Sequence, residues 1–138
     1  MLKVVADTNT IISGLLWKGN ESKLLQEAEE ENIRLFISKE ILEEIEQVIN
    51  YDQLQKYIAE SELTKEQLLE KVNSLCHIVF GEKLNIDICR DKRDNKIIEC
   101  AVHAKADFIV SGDKDILSLK EYEKIKIIST NGILKILK

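Results

Sequence analysis

Short apolar runs alternate with amphipathic stretches along the whole chain. Leu2–Val5 contains two adjacent valines and stops at Asp7, as a buried parallel strand does. From Thr10 to Trp17 the period becomes helical, closing at Gly19. Residues 21–31 form a charged amphipathic helix with Leu24, Leu25 and Ala28 on one face. Ile33–Ile37 reads as a second strand, after which Ser38 can cap a helix to about Ile49 with Glu40 in its dipole-favoured first turn. Two further helices follow at 52–60 and 64–75, the second opened by Thr64 with Glu66 and Gln67 behind it. His77–Phe80 is a third short strand, and the loop Gly81–Arg93 leads to a helix over about Asn95–Lys105. Phe108–Val110 and Ile125–Ser129 complete a set of five strands. Such alternation predicts an α/β domain around a mostly parallel sheet, leaving the strand order open.

Composition narrows the class. The chain has 138 residues, 44% hydrophobic and 33% charged, with no proline, repeat or linker, so one domain over 1–138 is expected. No window is apolar enough to span a bilayer, and the N-terminus has no signal-peptide h-region, so a cytoplasmic protein is expected. Cys76, Cys89 and Cys100, spaced 13 and 11 positions apart, fit neither a zinc motif nor a disulfide framework and read as reduced thiols in or near the core. The net charge of −5 is unlike that of a protein that holds nucleic acid by charge alone.

The acidic residues carry the chemistry. Ligands of open parallel sheets bind at the carboxyl ends of the strands. Asp7 ends the first strand, and Asp113 follows the fourth, where Gly112 permits a tight turn. If those strands are neighbours, both carboxylates share one rim. On the 39–49 helix the stripe Ile41, Leu42, Ile45, Val48 and Ile49 points Glu43 into water, while Glu44 and Glu46 flank it; geometry does not choose between them. Asp94 projects onto the buried stripe Ile97, Ile98, Ala101 and Ala104, and needs a partner there, either a metal or the free amides of the helix start.

Singly, these acids have plainer uses: Asp7 as a helix cap, Asp113 as a turn residue or a cap for a short helix at Asp115–Leu119. If they converge, two carboxylates about 4 Å apart repel by roughly 4 kcal/mol at an effective dielectric near 20, so a full cluster requires protons or cations. All-oxygen ligands without nearby His or Cys favour Mg²⁺ or Mn²⁺ and suit phosphodiester hydrolysis.

Four segments together resemble the PIN-domain family, in the branch of short prokaryotic VapC-like toxins of toxin–antitoxin systems. They are V-V-A-D-T-N-T-I-I-S-G-L with Asp7, L-F-I-S-K-E-I-L-E-E-I, R-D-K-R-D-N-K-I-I-E-C-A with Asp94, and A-D-F-I-V-S-G-D-K-D-I-L with Asp113 and the additional acid Asp115. The second motif places its acid immediately before an apolar residue, which favours Glu44. The resemblance implies a three-layer α/β/α fold with a five-stranded, mostly parallel sheet. It implies endoribonuclease activity on single-stranded RNA with Mg²⁺ or Mn²⁺, frequent homodimers, and in toxin members a small antitoxin over the acidic cleft. Catalytic and metal roles fall on Asp7, Glu44, Asp94 and Asp113, with Asp115 as a further metal ligand, and Asn9 and Ser111 match supporting polar positions.

Cations for phosphate lie beside these acids: the loop Arg90-Asp91-Lys92-Arg93 with Lys96 one turn on, next to Asp94, and Lys114 next to Asp113, although a solvated charge run has the same composition. Bound metal would also reverse the local field. Trp17 suits a core or dimer contact, and neither His77 nor His103 has metal-like spacing. A haloacid-dehalogenase-like phosphatase could use Asp7 as nucleophile but wants an aspartate where Asn9 stands; a receiver-like phosphoacceptor wants paired acids earlier. A PIN-like scaffold that binds without cutting is the reading from a different class.

Overall fold

The computed structural model describes residues 1–138. Strands β1 (Leu2–Ala6), β2 (Ile33–Ser38), β3 (Cys76–Val79), β4 (Phe108–Val110), β5 (Glu121–Tyr122) and β6 (Ile125–Ile128) form one sheet in the order β3-β2-β1-β4-β6-β5. All pairings are parallel except the hairpin of β5 with β6. The helices are α1 (Thr8–Leu16), α2 (Asn20–Glu29), α3 (Lys39–Val48), α4 (Gln55–Glu60), α5 (Lys65–Leu75), α6 (Asn95–Ala104), α7 (Lys114–Leu117) and α8 (Thr130–Leu137). They flank the sheet as a three-layer α/β/α fold, with α6 packed along β1 to β4 and α3 beside it, and α2 joining α1, α5 and α8. No helix is long and apolar enough to cross a membrane.

The sheet has six strands where five were expected. The extra one, β5, is two residues long and carries no periodic signal, because it exists only through its pairing with β6. The C-terminal helix α8 was also not predicted; Ser129, expected to end a strand, instead caps it by accepting from the Gly132 amide at 3.0 Å.

Local capping chemistry sets the other boundaries. Ser38 accepts from the Ile41 amide at 3.2 Å to start α3. Thr64 and Gln67 form a reciprocal box at α5, with bonds of 3.0 and 2.9 Å. The core is aliphatic: Val4, Val5 and Ala6 of β1 are wholly buried, as a central strand covered on both sides requires, and Leu24, Ile41, Ile45 and Ile98 close over them. All three cysteines are buried and free. Burial pushes the thiols of Cys76 and Cys100 up to about 12 and that of Cys89 to about 11, so none is a reactive thiolate at neutral pH.

Two glycines behave differently from one another. No glycine has positive φ, and a Cβ at Gly112 would meet nothing, so the turn before Asp113 does not depend on glycine; the Ser111 hydroxyl holds it by accepting from the Asp113 amide at 3.0 Å. At Gly14, by contrast, a Cβ would lie 2.6 Å from Leu25 Cδ1 and 2.7 Å from the Glu21 carbonyl oxygen. The α1–α2 contact therefore requires its absence. Gly14→Ala should destabilise the protein by about 1–3 kcal/mol in urea titration, although helix propensity alone would favour alanine by about 1 kcal/mol. A gain in stability would show that α1 and α2 are not packed this closely.

Candidate active site

Strands β1 and β4 are direct neighbours, with Ala6 opposite Val110, and the Asp7 amide extends their ladder by donating to the Val110 carbonyl at 3.3 Å. Asp7 and Asp113 thus leave the sheet at the same rim. There Asp7, Glu44, Asp94 and Asp113 line one cleft of about 300 Å³, together with Thr8, Asn9, Tyr51, Asp91, Arg93 and apolar Val48, Ile97 and Ile116. Four chain segments far apart in sequence deliver those four carboxylates.

Each acid is held differently. Asp7 is 5% exposed, and its oxygens accept from the Thr10 amide at 2.9 Å and the wholly buried Ser111 hydroxyl at 2.5 Å. It is a helix cap and a cleft residue at once. Glu44 accepts from the Thr8 hydroxyl and, at 2.7 Å, from Lys96 Nζ. Glu46 is exposed and lies outside the cleft, so packing of α3 against α1 and α6 makes the choice that helix geometry left open. Asp113 caps α7, accepting from the Asp115 amide at 2.8 Å.

Asp94 stands at the start of α6 but its side chain makes no cap bond, leaving its oxygens turned to the cleft. Partial burial, then the negative charges of Asp91 and Asp113, push it up to about 6; Lys96 opposes the shift and Asp7 adds to it. Asp94 is therefore coupled to the charges of Asp91, Asp113 and Asp7, while Glu44 is paired with Lys96.

The predicted cations divide. Arg93 lines the cleft and forks onto Asp91, with its NH2 nitrogen 2.9 Å from Asp91 Oδ2; this ion pair holds the Asp91 carboxyl below its usual range. Lys96 is committed to Glu44. Lys114 and Asp115 are exposed and do not line the cleft, and Asp115 faces Arg90 at 3.9 Å. An adjoining groove of about 350 Å³ shares Arg93 and collects Lys83, Lys92 and Lys96 against two carboxylates, Glu40 and Glu99. A further groove on the other side, about 490 Å³ with no apolar lining, contains Asn9, Ser111, Asp7 and Asp113 among serine, threonine and asparagine side chains.

Thr8, Tyr51 and Lys83 were not singled out from sequence, whereas Asp91 and Lys92 lie in the charged loop before Asp94. Thr8 follows Asp7 directly, the one available signal; nothing local marks Tyr51 or Lys83. His77 pairs its ring with Phe36 and His103 meets the Glu82 carbonyl, both off the cleft. Trp17 is not core: it is 41% exposed and meets Tyr57 edge-on.

The donor set fits a hard divalent cation by its chemistry, being all oxygen with Asp94 uncommitted. As the side chains stand, no three of them are spaced to hold an ion together, so binding one requires the carboxylates to draw closer.

The strained charge on Asp94 has a consequence for stability. Its folded pKa, about 6, lies above the ordinary 3.8, so the ionised form destabilises the fold as pH rises through that interval, and the penalty is absent below it. In EDTA at pH 7.5, Asp94→Asn should raise the melting temperature, by no more than about 1 kcal/mol of stability after solvent screening. The gain should shrink to nothing near pH 4; a gain independent of pH, or a loss at pH 7.5, would contradict this origin.

Comparison with known proteins agrees with the geometry. A family model described as PIN domain matches residues 3–115. The chain is 37% identical over 125 residues to the uncharacterized protein MJ1680 of Methanocaldococcus jannaschii, covering 89% of this chain and 78% of that one. No solved structure matches. The phosphatase-like and receiver-like alternatives gain no support from these matches. With the parallel sheet, the acid-lined rim and a match over most of its length, the chain belongs to the PIN-domain family, whose members are in general nucleases that use divalent metals.

Proposed function

We propose that this protein is an endoribonuclease that hydrolyses single-stranded RNA with Mg²⁺ or Mn²⁺. One observation carries the proposal: four carboxylates from separate segments share a cleft at the carboxyl rim, and one of them, Asp94, has free oxygens and a pKa raised to about 6 by burial and its acidic neighbours. Such a cluster is poised to gain a cation. A divalent ion there would lower the pKa of a bound water and offset the charge of the phosphodiester.

The ion would be held by Asp7, Asp94 and Asp113, with Glu44 joining as Lys96 gives way. The Ser111 hydroxyl and the Thr10 amide fix the Asp7 carboxylate, so its orientation is set before anything binds. Arg93 lies exposed beside the acids and can exchange Asp91 for a phosphate oxygen as a bidentate donor. Asn9 offers an amide at the junction of the cleft and the polar groove. The groove of Lys83, Lys92, Arg93 and Lys96 would give an overall acidic chain a local path for a phosphate backbone, with phosphates taking the place of their present partners Glu40, Asp87, Asp91 and Glu44. Lys114, exposed at the rim, and Asp115 remain at the margin.

The resemblance to toxin members supports a role as the toxin of a toxin–antitoxin pair, acting in the cytoplasm as a homodimer until a small antitoxin covers the acidic cleft.

Cleavage of a single-stranded RNA panel with Mn²⁺, Mg²⁺ or EDTA tests the chemistry. Wild type should cut only with metal, and Asp94→Asn should lose at least about a hundredfold in kcat/KM, since even residues behind the ligands are worth 10–100-fold. Metal-independent cutting, or an unimpaired variant, would overturn the mechanism. Replacing both Lys83 and Lys92 by Gln should weaken RNA binding at low salt and reduce the slope of log K against log salt by about 0.7 per lost phosphate contact. An unchanged slope would remove that groove from the substrate path.

A further inference from the structure

The acidic cleft contains one aromatic residue, and it has no part in the chemistry above. Tyr51 follows α3, seven positions after Glu44, and is the one aromatic among the cleft's twelve residues. Its backbone is fixed at three points. The amide donates to the Val48 carbonyl at 3.0 Å, and the carbonyl accepts from the Leu54 amide at 3.0 Å and from Gln55 Nε2 at 2.8 Å. Its side chain, in contrast, is uncommitted: the residue is 53% exposed, the hydroxyl makes no hydrogen bond, and the ring has no aromatic partner. Tyr57 nearby in sequence differs, since its ring already meets Trp17 with centroids 4.9 Å apart.

The anchored backbone fixes where the ring is presented, and the unpartnered ring has a face open to a ligand, at the cost of ordering one side chain when something settles on it. The surroundings select what that is. The cleft carries five acids against the single lining cation Arg93, an excess that repels anions and leaves charge attraction weak on this side. A nucleobase is neutral and has a π face, and its stacking on tyrosine does not depend on the sign of the surrounding charge.

From this, on the reading of the cleft as a nuclease site, we infer that Tyr51 is a stacking platform for one nucleobase flanking the scissile phosphate. It is a positioning residue. The stack tolerates any base, because every base offers a face. It also excludes duplex substrates, whose base faces are covered by their neighbours, and so gives single-strand selectivity a physical origin within this chain.

Two measurements on the full chain test the inference. The first needs no catalysis: oligonucleotides carrying 2-aminopurine at successive positions are titrated in EDTA, and one position should lose fluorescence with wild type and with Tyr51→Phe but not with Tyr51→Leu. The second uses steady-state cleavage with Mn²⁺. Tyr51→Leu should raise KM about tenfold with kcat within about twofold of wild type, and Tyr51→Phe should restore KM. Removing the stacked base from the RNA should cost wild type the same factor and cost Tyr51→Leu nothing more. Absent quenching, an unchanged KM, or equal losses for every abasic position in both proteins would overturn the assignment. So would an altered sedimentation coefficient of Tyr51→Leu with an unaltered KM, which would place the ring in a contact between protein chains. Position-specific quenching without any cleavage would uphold the stack while sinking the nuclease reading.

Discussion

The parallel pairing of β1 with β4 at the centre of the sheet is the constraint on which the site depends. Parallel neighbours end on the same side, so aspartates that follow them in sequence, 106 positions apart, emerge at one rim. The Asp7 amide continues the ladder by one more bond, and the Ser111 hydroxyl, on the strand-end turn of β4, reaches back to the Asp7 carboxylate. Backbone pairing and side-chain capping thus fix the same two segments against each other. An antiparallel arrangement of the same strands would have sent one carboxylate to each end of the molecule.

Around that rim, acid is balanced against acid by a small number of cations. Lys96 neutralises Glu44 and Arg93 neutralises Asp91, whereas Asp94 has no such partner and its carboxyl is pushed up to about 6. Burial and repulsion together work against its ionised form, which a proton or a bound cation would relieve. The structure keeps this group because its neighbours are fixed by other duties: Asp7 and Asp113 also start helices, so neither can swing away to relieve the repulsion. The two accounts of an acid at a helix start, cap or site residue, are not exclusive; at Asp7 and Asp113 both apply, and at Asp94 the capping account fails.

The cleft also separates charge from shape. Cations gather on the α6 side in the groove of Lys83, Lys92, Arg93 and Lys96, while the α3 side offers Tyr51 and the apolar edges of Val48 and Ile116. A flexible strand carries phosphates and bases on opposite sides, so a surface of this kind can engage both. An overall net charge of −5 says little about such a surface, because it averages over faces that never meet the ligand.

Much of this was legible in the residues. The alternation of short apolar runs with helical periods identified the α/β class, and Ser38 and Thr64 marked helix starts that the capping bonds bear out. The acids were visible because they interrupt patterns: Asp7 stops a valine run, and Asp94 sits on an isoleucine stripe. Elements held together only by their neighbours were not legible, as with the two-residue β5, which has no period of its own. Nor could helix geometry decide between Glu44 and Glu46, since both flank the stripe and only the packing of α3 against α1 and α6 turns one inward. Lys83 and Tyr51 stand in segments with no local mark that would have placed them at the cleft or its adjoining groove. Sequence therefore determined the class of fold and the chemical type of the site, because periodicity and residue identity are local properties. Tertiary structure alone decided which groups meet, because proximity across strands and helices is created by the sheet order, which no local pattern encodes.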